Sequence, residues 1–427
     1  MVGDLPPEPK PEGHYVFQGL GRSVVEHNHG LHKYPAKFVP QIPRWALEYA
    51  DGKPEEVVLD PFGGSGTTAL VAALLGRSAI SIDVNPLARV IAAGKVAQLP
   101  DDVEPASLIN EICSEAKVAV PRIESELIPS TASYGMHRTW SNWFNAAHLS
   151  GLIAIRESID RKELPSGVRD LLLSSLSAIV KACSFLDENQ IKVRFHADKR
   201  LADPFEAFAK AAQQACQQQR AVTPLLADVP APKILVGSAS DLPLAKQSVD
   251  RVITSPPYIN AVDYTMTHKY NLFVLGLVSP ETYAPHRREY IGMTERAVRA
   301  SDLSSPPDSA HPVVTPYLEA LWGQGTAVSR NRAFVVAQFF SGMAAAFTEI
   351  SRVLRPGGLA ITVLGDNRIC GESIPTADIC AELADASGLG IELRFYHHLA
   401  NLSSMRLARN VTGGKVPYET IHVYSRR

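Results

Sequence analysis

Residues 57–70 read VVLDPFGGSGTTAL. An apolar run, three glycines within four positions and a second apolar run describe a strand that turns sharply into a helix. Gly63, Gly64 and Gly66 stand where only a missing Cβ lets the backbone bend tightly and approach a ligand. The spacing is not the GxGxxG of dinucleotide folds, and the loop lacks the lysine of a phosphate-binding P-loop. Its helix start is expected to face a carboxylate or an adenosine.

Working outward, PQIPRWALEYA (40–50) reads as a short amphipathic helix before the strand EEVVLDPF, and SAISIDVNP (78–86) as the next strand, ending at Asp83. This strand, helix, strand succession is a right-handed βαβ unit of a parallel sheet. A long, mostly helical stretch follows, and the sheet resumes with PKILVGSASDLP (232–243) and SVDRVITSPPY (248–258). Beyond a polar, proline-dotted stretch come a helix, the strand LAITVLGD (359–366), a further helix and two strands, IELRFYHHL (391–399) and YETIHVYSRR (418–427). The expected fold is α/β, a doubly wound, mostly parallel, seven-stranded Rossmann-like sheet with a large helical insertion. Residues 1–14 read as a loose tail, 15–96 and 231–427 as one ligand-binding domain, 97–230 as the helical insertion and 260–330 as an irregular, loop-rich insertion near the site.

The 427 residues carry 42 Lys plus Arg against 44 Asp plus Glu, so any nucleic-acid surface must be local. Cys113, Cys183, Cys216, Cys370 and Cys380 are scattered without a CxxC pair, which suits free buried thiols in a reducing compartment and no metal centre. The start of the chain lacks the apolar core of a signal peptide, and no run of eighteen apolar residues occurs. A cytoplasmic protein without membrane contact is expected.

RVITSPPYIN (251–260) ends an apolar strand on a hydroxyl, two prolines and an aromatic ring. Pro256 and Pro257 have no amide donors, so the ladder stops and a stiff turn presents Ser255 and Tyr258. Strand punctuation is the plain reading; a holder for a flat ligand is the functional one. Asp60, Asp83 and Asp241 each follow the C-terminal edge of a strand, where an acid can accept ribose hydroxyls or an adenine amine. Singly each suits a helix cap or a turn; together they suit a cofactor site.

DPFGGSGTT, SIDVNP, GSASDLP and TSPPY together resemble the amino-methyltransferases of DNA, S-adenosylmethionine enzymes of class I that methylate exocyclic amines of cytosine or adenine. HGLHKYPAKFVPQIP (29–43) resembles the motif that closes over the methionine end of the cofactor in that family. The resemblance implies S-adenosylmethionine as cofactor, held by His32, Lys33, Tyr34 and Pro35, by Asp60, Pro61, Phe62, Gly63, Gly64, Gly66 and Thr67, and by Asp83 and Asp241. It implies double-stranded DNA as substrate, with a cognate restriction endonuclease as a partner of such enzymes. Ser255, Pro256, Pro257 and Tyr258 would form the catalytic turn, with Tyr258 stacked on a base flipped out of the duplex. Family members with SPPY mostly form N4-methylcytosine, whereas adenine enzymes usually carry Asp or Asn at the first position.

Carbon-5 methylation is disfavoured, because it needs a nucleophilic cysteine after a proline and none is present. Adenine N6, an RNA base amine and an inert nucleic-acid-binding module stay open as alternatives. Lys192 and Arg194 in IKVRFHADKR, and Arg287 and Arg288 in APHRREYIGMTERAVR, are the DNA-binding candidates, although such runs are also common on solvated helix faces.

Overall fold

The computed structural model describes residues 2–3, 8–17, 28–35, 39–130, 143–188, 193–259, 263–292, 304–399 and 418–427. Strands β1 (Val2–Gly3) and β2 (His14–Phe17) lead into helix α1 (Gln41–Glu48). Then follow β3 (Val57–Asp60), α2 (Thr67–Leu74), β4 (Ser78–Asp83) and α3 (Pro86–Lys95). The first insertion supplies α4 (Pro105–Ser130), α5 (Ala146–Arg161), α6 (Ser166–Ile179) and α7 (Pro204–Val222). After β5 (Lys233–Val236) and β6 (Val249–Thr254), the second insertion holds α8 (Tyr264–Val274), α9 (Pro280–His286) and α10 (Thr315–Gly323). Helix α11 (Ala327–Val353), β7 (Leu354–Leu364), the hairpin β8 (Asn367–Ile369) and β9 (Glu372–Ile374), α12 (Thr376–Ala386), β10 (Leu389–His398) and β11 (Tyr418–Arg426) complete the chain.

The main sheet runs in the order β1-β2-β10-β11-β7-β6-β3-β4-β5. Seven strands were expected, and β1 and β2 extend them along the β10 edge. All pairs are parallel except those of β11 with β10 and β7. The order reverses at β3, where β4 lies on one side and β6 on the other. That switch point opens a crevice beyond the carboxyl ends of both strands.

Successive side chains point to opposite faces, so each central strand feeds two cores. Val58, Ile253, Ile361 and Val363 pack with Ile42, Trp45 and Ala72 of α1 and α2 on one face. Leu59, Val252, Ala360 and Leu364 pack on the other with Phe339, Phe340 and Phe347 of α11. Helix α11 is apolar enough by composition to cross a membrane, but half of that stretch is buried within the fold. The third core joins α3 (Leu87, Val90, Ile91) to the insertion helices through Leu152, Leu171 and Phe208, so the insertion shares a helix layer with the sheet.

Two expectations need correction. Residues 8–14 are not loose: Tyr396 N donates to Gly13 O at 2.8 Å, Glu12 N donates to Arg394 O at 2.7 Å, and Arg394 Nε meets Glu12 Oε1 at 2.7 Å. The second insertion is largely helical where described: Pro280 and Pro316 fall at helix starts, where no amide is missed, although Pro285 lies inside α9. Ser279 and Thr282 close a capping box on α9, and Asp263 Oδ1 accepts from Met266 N at 2.9 Å on α8. Four of the five cysteines are buried and Cys370 is half-buried, and none of them forms a disulfide.

Candidate active site

A cleft lies over the switch point. Its floor is Pro61, Phe62, Gly63, Gly64 and Thr67 from the glycine loop and Asp83 from the end of β4. Ser255 and Pro257 of the SPPY turn form one wall, and Tyr34 of the HKYPAKF motif forms another. Gly63 and Ser255, about 190 positions apart in sequence, therefore share one opening, because β3 and β6 are neighbours at the switch.

Gly63 fits only without a side chain, since a Cβ there would lie 1.9 Å from Ser81 Oγ. Gly64 has φ +49, a conformation that residues with a side chain rarely adopt; a Cβ there would meet the Tyr34 ring at 3.4 Å, an ordinary contact. Gly64 N donates to Asp83 Oδ2 and Asn85 N to Asp83 Oδ1, each at 2.8 Å. Both carboxylate oxygens keep a further lone pair. Burial pushes the Asp83 carboxyl up to about 6, against the opposing pull of those two amides.

Helix α2 starts at Gly66 without a side-chain cap, so its first amides are open to an anion. Ser65, also on the cleft, is buried, and its hydroxyl has no hydrogen-bond partner in the structure. A buried orphan hydroxyl, an uncapped helix start and a carboxylate with spare lone pairs fit a ligand that combines a carboxylate with a ribose. S-adenosylmethionine has both.

Several sequence candidates are used otherwise. Asp60 does not line the cleft: it accepts from Thr254 Oγ1 at 2.6 Å, Thr68 Oγ1 at 2.7 Å and Phe62 N at 3.1 Å, and so ties β6 and α2 to β3. Burial pushes its carboxyl up to about 6 while those three donors pull it down. A raised carboxyl pKa favours the fold below pH ~4 and gives that up as pH rises through 6. Asp60→Ala strands the buried Thr254 hydroxyl and the Phe62 amide and leaves Thr68 Oγ1 only Ile253 O at 3.3 Å, so its urea midpoint should report a loss of about 2–4 kcal/mol. Asp60→Asn retains an acceptor oxygen and should lose less.

His32 is buried with Nε2 3.0 Å from Ser177 Oγ of α6, so it staples the motif to the insertion and leaves the cleft to Tyr34. Lys33 is exposed, Pro35 half-buried, and Lys37 lies outside the described residues. Gly66 packs against Ala92 of α3 and does not reach the ligand space. Asp241 is exposed at a turn bridged to Ser238, and Ser238 and Ala239 reach the cleft in its place. Pro256 is buried behind Pro257. Asp366 and Asn367 serve a turn: Asp366 Oδ1 accepts from Ala377 N at 3.1 Å, and Asn367 Nδ2 donates to Thr376 Oγ1 at 3.1 Å.

Ser255 Oγ donates to Val363 O at 3.4 Å, which leaves its lone pairs for a donor in the cleft. The half-buried Tyr258 directs its hydroxyl to Glu419 Oε1 on β11. Arg287 is spent within the protein, 3.5 Å from Asp263 and 3.2 Å from Thr265 Oγ1, so it anchors α8 and is not available to DNA. Arg194 and Arg288 are exposed, and Lys192 lies outside the described residues.

Sequence reading put the second insertion near the site but named none of its cleft residues among the site residues. Tyr264, Glu289, Tyr290 and Ile291 also line the cleft. His286 Nε2 lies 3.0 Å from the Tyr290 hydroxyl, and burial raises that phenol far above its usual range. Tyr34 lies parallel to Tyr264 at 6.1 Å between centroids and 4.8 Å from the His268 ring. Burial pushes His268 down to about 3, so it is neutral and accepts from Asn85 Nδ2 at 3.1 Å. The alternation of basic and aromatic residues around Tyr290 is the one signal that marked this segment in the sequence.

Strand order, glycine loop and acid-lined cleft define a class I S-adenosylmethionine-dependent methyltransferase. Residues 9–93 match the DNA methylase family model. The chain is 22% identical over 405 residues to the Type II methyltransferase M.MvaI of Kocuria varians, covering 90% of this chain and 86% of that protein. It is 22% identical over 419 residues to the Type II methyltransferase M.BsoBI of Geobacillus stearothermophilus, with 84% and 78% covered. Among solved structures, a SAM-dependent methyltransferase from Methanosarcina mazei aligns over 88% of this chain and 93% of its own at 10% identity, with a TM-score of 0.30. So low a score adds nothing to the strand order itself. Over most of its length the chain is thus similar to Type II DNA methyltransferases, and S-adenosylmethionine is the cofactor that its cleft fits.

Proposed function

We propose that this protein methylates the exocyclic N4 amine of a cytosine flipped out of double-stranded DNA. The observation that carries the reading is the single cleft in which Ser255 and Pro257 face the same space as Gly63, Gly64 and Asp83. Asp83 would accept the ribose hydroxyls of the cofactor, and Ser65 with the open start of α2 would hold its carboxylate. S-adenosylmethionine, when bound, supplies an electrophilic methyl for direct in-line transfer.

An exocyclic amine is a weak nucleophile because its lone pair is delocalised into the ring. Acceptors that bind its hydrogens draw it toward tetrahedral geometry. Ser255 Oγ, whose own proton points to Val363 O, is one such acceptor, and the Pro256 carbonyl, fixed by its prolines, is the other. The serine hydroxyl orients the amine; it is too weak a base to take the proton, which leaves to water. Tyr258 would stack on the flipped base, since an amine within a Watson-Crick pair is out of reach.

Serine at the head of the turn favours cytosine over adenine by family resemblance. The test is mass spectrometry of nucleosides from unmethylated DNA and RNA incubated with the protein and labelled cofactor. Label in N4-methylcytosine is expected; label in N6-methyladenine would overturn the base, and label confined to RNA would overturn the substrate. Ser255→Ala should lower kcat by roughly a hundredfold with cofactor affinity unchanged.

A further inference from the structure

Behind the catalytic turn lies a buried polar chain that the proposed mechanism does not use. The Tyr258 hydroxyl donates to Glu419 Oε1, and Glu419 Oε2 lies 3.1 Å from His397 Nδ1. Glu419 is 4% exposed and His397 1%. The two are register partners on β11 and β10, so the ladder itself holds them side by side. Both strands are central, β11 lying between β10 and β7.

A carboxylate and an imidazole in a sheet interior are expensive to bury unless each is satisfied, and a hydrophobic pair would pack there without that demand. Their arrangement has a direction. His397 occupies one oxygen of Glu419 and leaves the other aimed at Tyr258, 161 residues away in sequence. A tyrosine ring on a proline turn can rotate about two bonds, and the prolines fix only its backbone. The hydrogen bond to Glu419 fixes the rest.

We propose that Glu419 is a positioning residue for base methylation, oriented by His397, and that it holds the Tyr258 ring in the plane that receives the target base. The inference rests on the reading of Tyr258 as the base platform. Glu419 touches neither base nor cofactor in this scheme and acts only through the tyrosine hydroxyl.

The test is a double-mutant cycle in the full-length protein with Glu419→Gln, Tyr258→Phe and both, reading kcat and KM for unmethylated DNA, cofactor Kd by calorimetry and the melting temperature. Each single variant should lower kcat/KM for DNA about tenfold while the cofactor Kd stays unchanged, because ring misplacement acts on the base and not on the Asp83 side. The double variant should be no worse than either single one. Additive losses, or full activity of Glu419→Gln, overturn the proposal. Tyr258→Phe leaves the Glu419 and His397 pair in place, so it decides the matter if Glu419→Gln does not fold; full activity there also overturns it. Full activity of Tyr258→Ala would instead remove the platform reading itself.

Discussion

Replacing Asp83 with alanine should weaken S-adenosylmethionine binding by about a hundredfold, the loss expected when a charged acceptor of two ligand hydroxyls is removed. Calorimetry on the purified protein measures it directly. The same residue sets a pH dependence whose sign is fixed by its raised pKa, about 6. Below that value the carboxyl is protonated and loses acceptor capacity, so affinity should rise as pH rises through 6 and then level. Without ligand the slope has the opposite sign, since a buried carboxyl of raised pKa favours the folded state most when protonated and gives that up over the same interval. Asp83→Asn should remove the affinity slope and reduce the stability slope to the part that Asp60 contributes.

Gly66→Ala should destabilise the protein by about 3 kcal/mol or more. The residue has φ +75, and a Cβ there would sit 2.7 Å from Ala92 Cβ and 3.0 Å from Ala92 Cα, so the backbone of α3 must move. Gly76, at the other end of α2, has the same φ +75 and nothing within 4 Å. Gly76→Ala therefore isolates the left-handed strain, about 1 kcal/mol, and the difference in urea midpoints between the two variants measures the packing contribution. Gly66→Ala should also lower cofactor affinity, since any shift of α3 moves Asn85 and, with it, one of the amides on Asp83.

The parallel core of the fold was legible because its strands are continuous apolar runs that end on turn chemistry, and the glycine loop was legible because only glycine tolerates those approaches. Asp60 was misread for a physical reason. An acid at a strand end looks the same whether it faces a ligand or its neighbours, and Thr254, which occupies it, lies 194 residues away. His32 likewise depends on Ser177, and Tyr258 on Glu419. The second insertion resisted reading because its prolines looked like breakers, although proline at a helix start replaces an amide that would have had no partner. Tyr264 and Tyr290 then followed those helices into the cleft without any motif of their own.

The staple at His32 also bears on how such enzymes can be recombined. Ser177 of α6 receives His32 Nε2 at 3.0 Å and, through its hydroxyl and carbonyl oxygens, Asn271 Nδ2 of α8 at 2.9 and 2.8 Å. One serine thus joins the segment that carries Tyr34, the first insertion and the second. A chimaera that takes residues 97–230 from a relative would import its own residue at that junction. Unless the graft brings a hydroxyl there, His32 and Asn271 both lose that contact, and the exchange would disturb the segment that carries Tyr34 into the cleft. Grafts are best cut so that all three residues come from the same parent.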